Sequence, residues 1–227
     1  DPSGKFVRKL DIPVYGYKIA WYDRKIVIYN GGKSDLYEAD SESGKESNTY
    51  FKNVEEKQKV LNNPFQLLDK KQLLYLSNFD YTIYSITEKG ILPHVKFVFD
   101  ERMFTDNDIH LLKEDKKNAN NFVRIKYYFE SKTHIQIIYL FKKEPYLVVY
   151  NKNKNETNAY NMLGVRNDIT YTSEIPFAMG VDSENNFFSS LDYNDVSDTI
   201  SLKKKIGKYQ GDLNSMSNPI ILRFKYK

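Results

Sequence analysis

The chain has 227 residues, of which 34 are basic and 30 acidic for a formal charge of +4, with 15% aromatics and no cysteine. That length suffices for one large all-β domain or two ordinary ones, each with a real core, and the near-balanced charge argues against a nucleic-acid partner, which needs a concentrated basic face. The lack of thiols excludes a disulfide scaffold, a cysteine nucleophile and cysteine-ligated zinc, and no apolar run reaches the roughly 18 residues of a membrane-spanning helix.

In chain order, the opening DPSGKFVRKL has neither the charged nor the apolar region of a leader. Lys5 to Ile12 reads as a strand ended by Pro13. Tyr17 to Tyr22 and Lys25 to Tyr29 follow, split by Asp23-Arg24, a two-residue hairpin signal. Gly31-Gly32 turns the chain, Leu36 to Ala39 suggests a third strand, and Asp40 to Asn48 (DSESGKESN) reads as a polar loop. Pro64 to Asp100 breaks at Asp69-Lys70-Lys71, Asn78-Phe79-Asp80 and Glu88-Lys89-Gly90, which leaves four short strands in one antiparallel meander.

A third burst holds FVRIKYYFES, HIQIIYLFKK and PYLVVYNKNK from Phe122, with turns at Ser131-Lys132-Thr133 and Lys143-Glu144-Pro145 and then the polar NKNKNETN. A fourth, weaker burst surrounds Met179 to Asp192, and the chain ends on the alternating run Ile220 to Lys225 after Asn218-Pro219. Thr105 to Asn121 and Asp195 to Gly211 have helical composition, with Asp106 and Asp198 as candidate caps and Gly211 as a stop. Meanders of about four strands recurring every 40 to 55 residues point to an all-β β-propeller of four-stranded antiparallel blades, with short helical excursions; a sandwich or barrel is the competing architecture. The terminal strand would then finish a blade, because an edge at the chain end is stable only if paired.

The stretch Asp80 to Asp100 (DYTIYSITEKGILPHVKFVFD) resembles the recurrent blade of six-bladed β-propeller proteins of Bacteroides-type bacteria, NHL- or TolB-like in kind. NNPFQLLDKKQLLYLSNF is similar to their blade entry, RNDITYTSEIPF (Arg166 to Phe177) to the segment before the last blade, and NPIILRFKYK to their closing strand. The early glycine-rich turn of that family is missing here. The resemblance implies one propeller domain over 1–227 with material for about four to five blades rather than six, its N-terminal blades being absent or its closure different. It further implies export to the periplasm or cell surface, as a lipoprotein or free protein, with a leader outside these residues.

Catalytic signatures are scarce. His94, His110 and His134 lie in separate bursts without metal-ligand spacing, no G-x-S-x-G elbow occurs, and Gly31 to Ser34 (GGKS) lacks the spacing of a phosphate loop. Gly180 to Asn186 (GVDSENN) offers oxygens to calcium but reads better as a turn. Asn155 to Thr157 (NET) marks an exposed loop. No cofactor and no metal are therefore expected. Tyrosines near Asn and Asp suit sugar or peptide recognition, since aromatic faces stack and amides fix orientation. The candidate binding residues are Asp80, Tyr81, Asn167, Asp168, Asn185, Asp192 and Tyr193. The expected function is an exported, non-catalytic binding module for a glycan, a peptide or a cell-envelope partner. The alternative is an enzyme (a lyase, a lactonase-like hydrolase or a glycan-acting protein) with its site at the channel mouth. Fold alone does not choose between them.

Overall fold

The computed structural model describes residues 9–12, 16, 18–29, 34–52, 64–69, 72–77, 80–164, 178–182, 184–191 and 220–226. The fold is all-β and assembled from antiparallel meanders, the blade unit of a β-propeller. Two compact units divide the chain, Asp1–Phe122 and Val123–Lys227.

The first unit holds two four-stranded sheets. Strands β1 (Lys18–Tyr22), β2 (Lys25–Tyr29), β3 (Ser34–Asp40) and β4 (Glu46–Lys52) pair in sequence order. Asp23 and Arg24 both take positive φ, 39° and 60°, the two-residue turn whose twist suits a hairpin. The β3–β4 turn is tied by the Asp40 carboxylate, which accepts from the backbone N–H of Glu42 at 3.0 Å and of Ser43 at 2.7 Å, and Gly44 supplies the φ of +72° that closes it.

Ile26, Ile28, Tyr37 and Ala39 pack on one face, with Leu10 and Ile12 against them. The opposite face buries Val27, Tyr29, Leu36 and Glu38. Central strands covered on both faces explain why KIVIY is apolar throughout rather than alternating. The second sheet, β5 (Phe65–Asp69), β6 (Gln72–Leu76), β7 (Thr82–Thr87) and β8 (Gly90–Lys96), is the expected meander. Pro93 sits on β8, which among the described residues pairs only with β7, an edge where a missing N–H is tolerated. An aromatic layer joins the two sheets: Phe51 lies 5.6 Å from Tyr75 and 4.8 Å, edge-on, from Tyr84.

The second unit contains β9 (Arg124–Glu130), β10 (His134–Phe141), β11 (Glu144–Asn151) and β12 (Glu156–Asn161) as a third meander. A three-stranded sheet follows, of β13 (Gly180–Val181), β14 (Phe187–Leu191) and the terminal β15 (Ile220–Phe224). The chain end is thus paired, with β14, over Phe187↔Phe224 to Leu191↔Ile220. Phe129, Ala178 and Phe187 form the core beside this sheet, with Tyr127, Val181, Phe224 and Tyr226 packed on it.

Four expectations from sequence change. Residues 9–12 of the expected first strand are not in a strand, and residues 5–8 lie outside the described residues. The expected loops at Asp40 to Asn48 and at NKNKNETN each run three residues into an edge strand, β4 from Glu46 and β12 from Glu156. Their polar side chains hide the pattern because the outermost strand of a meander has little to bury; all six residues of β12 are exposed. The β10–β11 turn is Lys142-Lys143, with φ of 51° and 70°, so Pro145 falls inside β11 opposite Leu140. The helical segment after Thr105 forms one short helix, α1 (Ile109–Glu114), between two 3-10 turns, and the segment from Asp195 to Gly211 lies outside the described residues. Among the described residues no helix is long and apolar enough to cross a membrane.

Candidate functional site

Three of the seven sequence-derived site residues fall among those described. Asp80 is spent on its own turn: its carboxylate accepts from the Thr82 N–H at 2.8 Å and from the Tyr84 hydroxyl at 2.9 Å. Tyr81, at φ +58°, is buried; its hydroxyl accepts from the Phe104 N–H at 2.6 Å and its carbonyl from the Phe97 N–H at 2.8 Å. Burial pushes its phenol up to about 12. Asn185 caps the β9–β10 turn, its side-chain oxygen accepting from the Lys132 N–H at 3.0 Å. Asn167, Asp168, Asp192 and Tyr193 lie outside the described residues.

The loop before β14 is a turn built on Asp182, which accepts from the N–H groups of Glu184 and Asn186, both at 2.9 Å. Arg223 of β15 clamps it, reaching Asp182 at 2.6 Å and Glu184 at 2.7 Å. Those carboxylates are therefore engaged by a guanidinium in the geometry that suits it. Among the described residues no group of three or more metal-ligating side chains is gathered.

What the structure assembles instead is a cavity of about 370 Å³ on one face of the β9–β12 sheet. The strand register builds it row by row. His134 on β10 stands opposite Asn151 on β11, and Asn151 opposite Glu156 on β12. Two residues along, Val149 faces Asn158, and two further, Leu147 faces Tyr160. Period-two alternation puts all of these on one side of the sheet. Lys154 from the β11–β12 turn and Tyr226 from the chain end complete the wall. One end of the cavity is thus polar and the other apolar, floored by the cluster Ile138, Leu147 and Val149.

Tyr226 is held by several contacts at once. Its ring lies 5.7 Å from His134, 5.1 Å from Phe187 and 5.7 Å from Phe224, and its hydroxyl donates to the side-chain oxygen of buried Gln136. Burial, with Tyr160 nearby, keeps this phenol above its usual range, so it stays protonated and able to donate.

His134 is only 6% exposed. Its Nδ1 is 2.9 Å from the Thr133 hydroxyl, while Nε2 is buried and has no hydrogen-bond partner among the described residues. Burial, then the charges of Lys154 and Lys152, hold the imidazole below its usual range, hence neutral near pH 7. Lys152 itself turns away, to Glu130 and to the Ser131 carbonyl at 2.8 Å. Sequence reading weighed His134 as a metal ligand against a surface or packing role, and placed the first half of β12, Glu156 to Asn158, in a polar loop. The available signal was Glu156, Asn158 and Tyr160 at period two.

The family model described as a domain of unknown function (DUF4934) matches residues 1–225. No curated protein is similar in sequence. Among solved structures, a Bacteroides fragilis protein named as exported superposes with a TM-score of 0.72 at 18% identity, over 95% of this chain and 66% of the other. The two share a fold, and this chain spans just under two thirds of that protein's length. BamB from Moraxella catarrhalis matches 78% of this chain and 48% of its own at 10% identity. Its TM-score of 0.40 is below the level that establishes a common fold.

Proposed function

This chain belongs to the DUF4934 family, and from that premise we propose that it is a non-catalytic binding module of the cell envelope, one propeller domain over 1–227, which takes a glycan or peptide ligand. The site is the cavity between the β10–β12 face and Tyr226. Its volume falls within the roughly 300–1,000 Å³ typical of small-ligand pockets, and its lining pairs ring faces with amides and one imidazole. The observation that carries this reading is His134, a residue of the cavity wall whose buried Nε2 has no hydrogen-bond partner among the described residues. A buried polar atom without a partner costs stability, and a bound ligand would offset it. The likeness to an exported protein supports an envelope location.

Thermal melts with a panel of neutral sugars and short peptides test the site, because a ligand of the native state raises the melting temperature. At least one probe should stabilise the wild type and fail to stabilise a Tyr160→Ala/Asn158→Ala variant. Both substituted side chains are exposed, so the variant itself should melt like the parent. A panel without effect, or a shift that survives in the variant, overturns the reading. Fractionation of the full-length gene product tests location; recovery in the cytosol would refute it.

A further inference from the structure

We propose that the ligand of this cavity is a neutral carbohydrate, one of whose hydroxyls bonds His134 Nε2 while the sugar ring lies on Tyr160; the inference rests on the binding reading above and names its ligand class. The imidazole sets the first requirement. If Nδ1–H donates to the Thr133 hydroxyl, Nε2 is an acceptor; if that hydroxyl donates to Nδ1, Nε2–H is a donor. A ligand hydroxyl serves either tautomer, being both donor and acceptor. An ammonium serves only the first and a carboxylate only the second.

The rim sets the second requirement. Lys154 and Glu156 bring one charge of each sign to the same end of the cavity, so there is no surplus to select an anion or a cation. The Asn151 side-chain oxygen is already used, accepting from the N–H groups of Asn153 and Lys154, which leaves its amide hydrogens to donate to a neutral oxygen.

The third requirement comes from the position of the cavity on the sheet. Strands β10 and β11 are paired on both sides, so their backbone groups are consumed within the ladder. An extended peptide is usually held by the open backbone of a sheet edge. Around His134 and Asn151 only side chains are offered, and the wall as a whole presents an imidazole, two amides, tyrosine rings and one charge of each sign, the edge of β12 lying at its outer rim. The graded lining, polar at His134, Asn151 and Glu156 and apolar at Leu147 and Tyr160, matches a pyranose ring, which has hydroxyls at its edge and C–H groups on its face.

The test uses the full chain with ¹⁵N-labelled histidine, so that the imidazole nitrogens of His134 are read directly and His94 and His110 serve as internal references. Glucose, galactose and N-acetylglucosamine are titrated, with glycyl dipeptides and inorganic phosphate as comparison probes. We expect at least one sugar to move the His134 Nε2 resonance saturably, with the references still. Binding should weaken roughly 2- to 12-fold in Tyr160→Ala, the size of an aromatic packing contribution. If a dipeptide or phosphate moves Nε2 and no sugar does, the carbohydrate assignment falls while the cavity remains a ligand site. If no probe moves it, the carbohydrate assignment and the binding reading fall together.

Discussion

Removing the Tyr226 hydroxyl gives a sharp check on how the chain end is tied to the third sheet. Gln136 is wholly buried. Its side-chain oxygen accepts from Tyr226, and its amide nitrogen has no partner among the described residues. Tyr226→Phe keeps the ring and its contacts with His134, Phe187 and Phe224 but strands the glutamine oxygen. A buried acceptor left unsatisfied costs about 1–3 kcal/mol, a fall in melting temperature of roughly 2–12 °C for a chain of this size. Adding Gln136→Met should recover most of that loss, because replacing both partners by apolar groups of similar shape is nearly neutral. The double-mutant cycle, read by denaturant titration, should therefore show a coupling of at least about 1 kcal/mol. A Tyr226→Phe variant that melts with the parent, or losses that simply add, would refute the reasoning.

Glu38 is the hub of the first sheet, accepting from Tyr22 at 2.9 Å, Lys25 at 2.9 Å, Ser47 at 2.8 Å and Asn48 at 3.1 Å. Glu38→Gln should cost about 3 kcal/mol in a denaturant titration, the lower end for breaking a buried pair whose cation still meets water. Burial works to raise the Glu38 carboxyl, but the bonds from Lys25, Ser47, Asn48 and Tyr22 outweigh it and the net shift is down. Its contribution is therefore present above the ordinary carboxyl range and fades as pH falls through the folded value, an acid-side loss that the variant should lack. His134, lowered by burial and by Lys154 and Lys152, titrates more readily in the unfolded chain. Stability should thus decline as pH drops below about 6.5, and His134→Gln should flatten that slope; an unchanged slope would contradict the burial argument. Arg24 sits at φ +60° in the first hairpin, so Arg24→Gly should raise stability by a few tenths to about 1 kcal/mol in thermal melts.

The meander of Pro64 to Asp100 and the three apolar strands after Phe122 were legible in the sequence. Their patterns arise from local physics: a strand covered on both faces must be apolar, and short polar breaks mark where the chain turns between strands. The pairing of Ile220 to Phe224 was legible too, as a terminal apolar run that needs a partner. Tertiary structure alone decided that this partner is β14, because a pairing partner depends on long-range register, which no local pattern encodes. Edge strands β4 and β12 were hidden for a related reason, since an edge position removes the burial that writes alternation into a sequence. The cavity was beyond reach in the same way. Asp80, Tyr81 and Asn185 read as ligand-facing polar residues, yet each has its hydrogen bonds committed within the chain. His134, Asn158, Tyr160 and Tyr226, spread over more than ninety residues, meet only because three strands align in register and the chain end folds back across them.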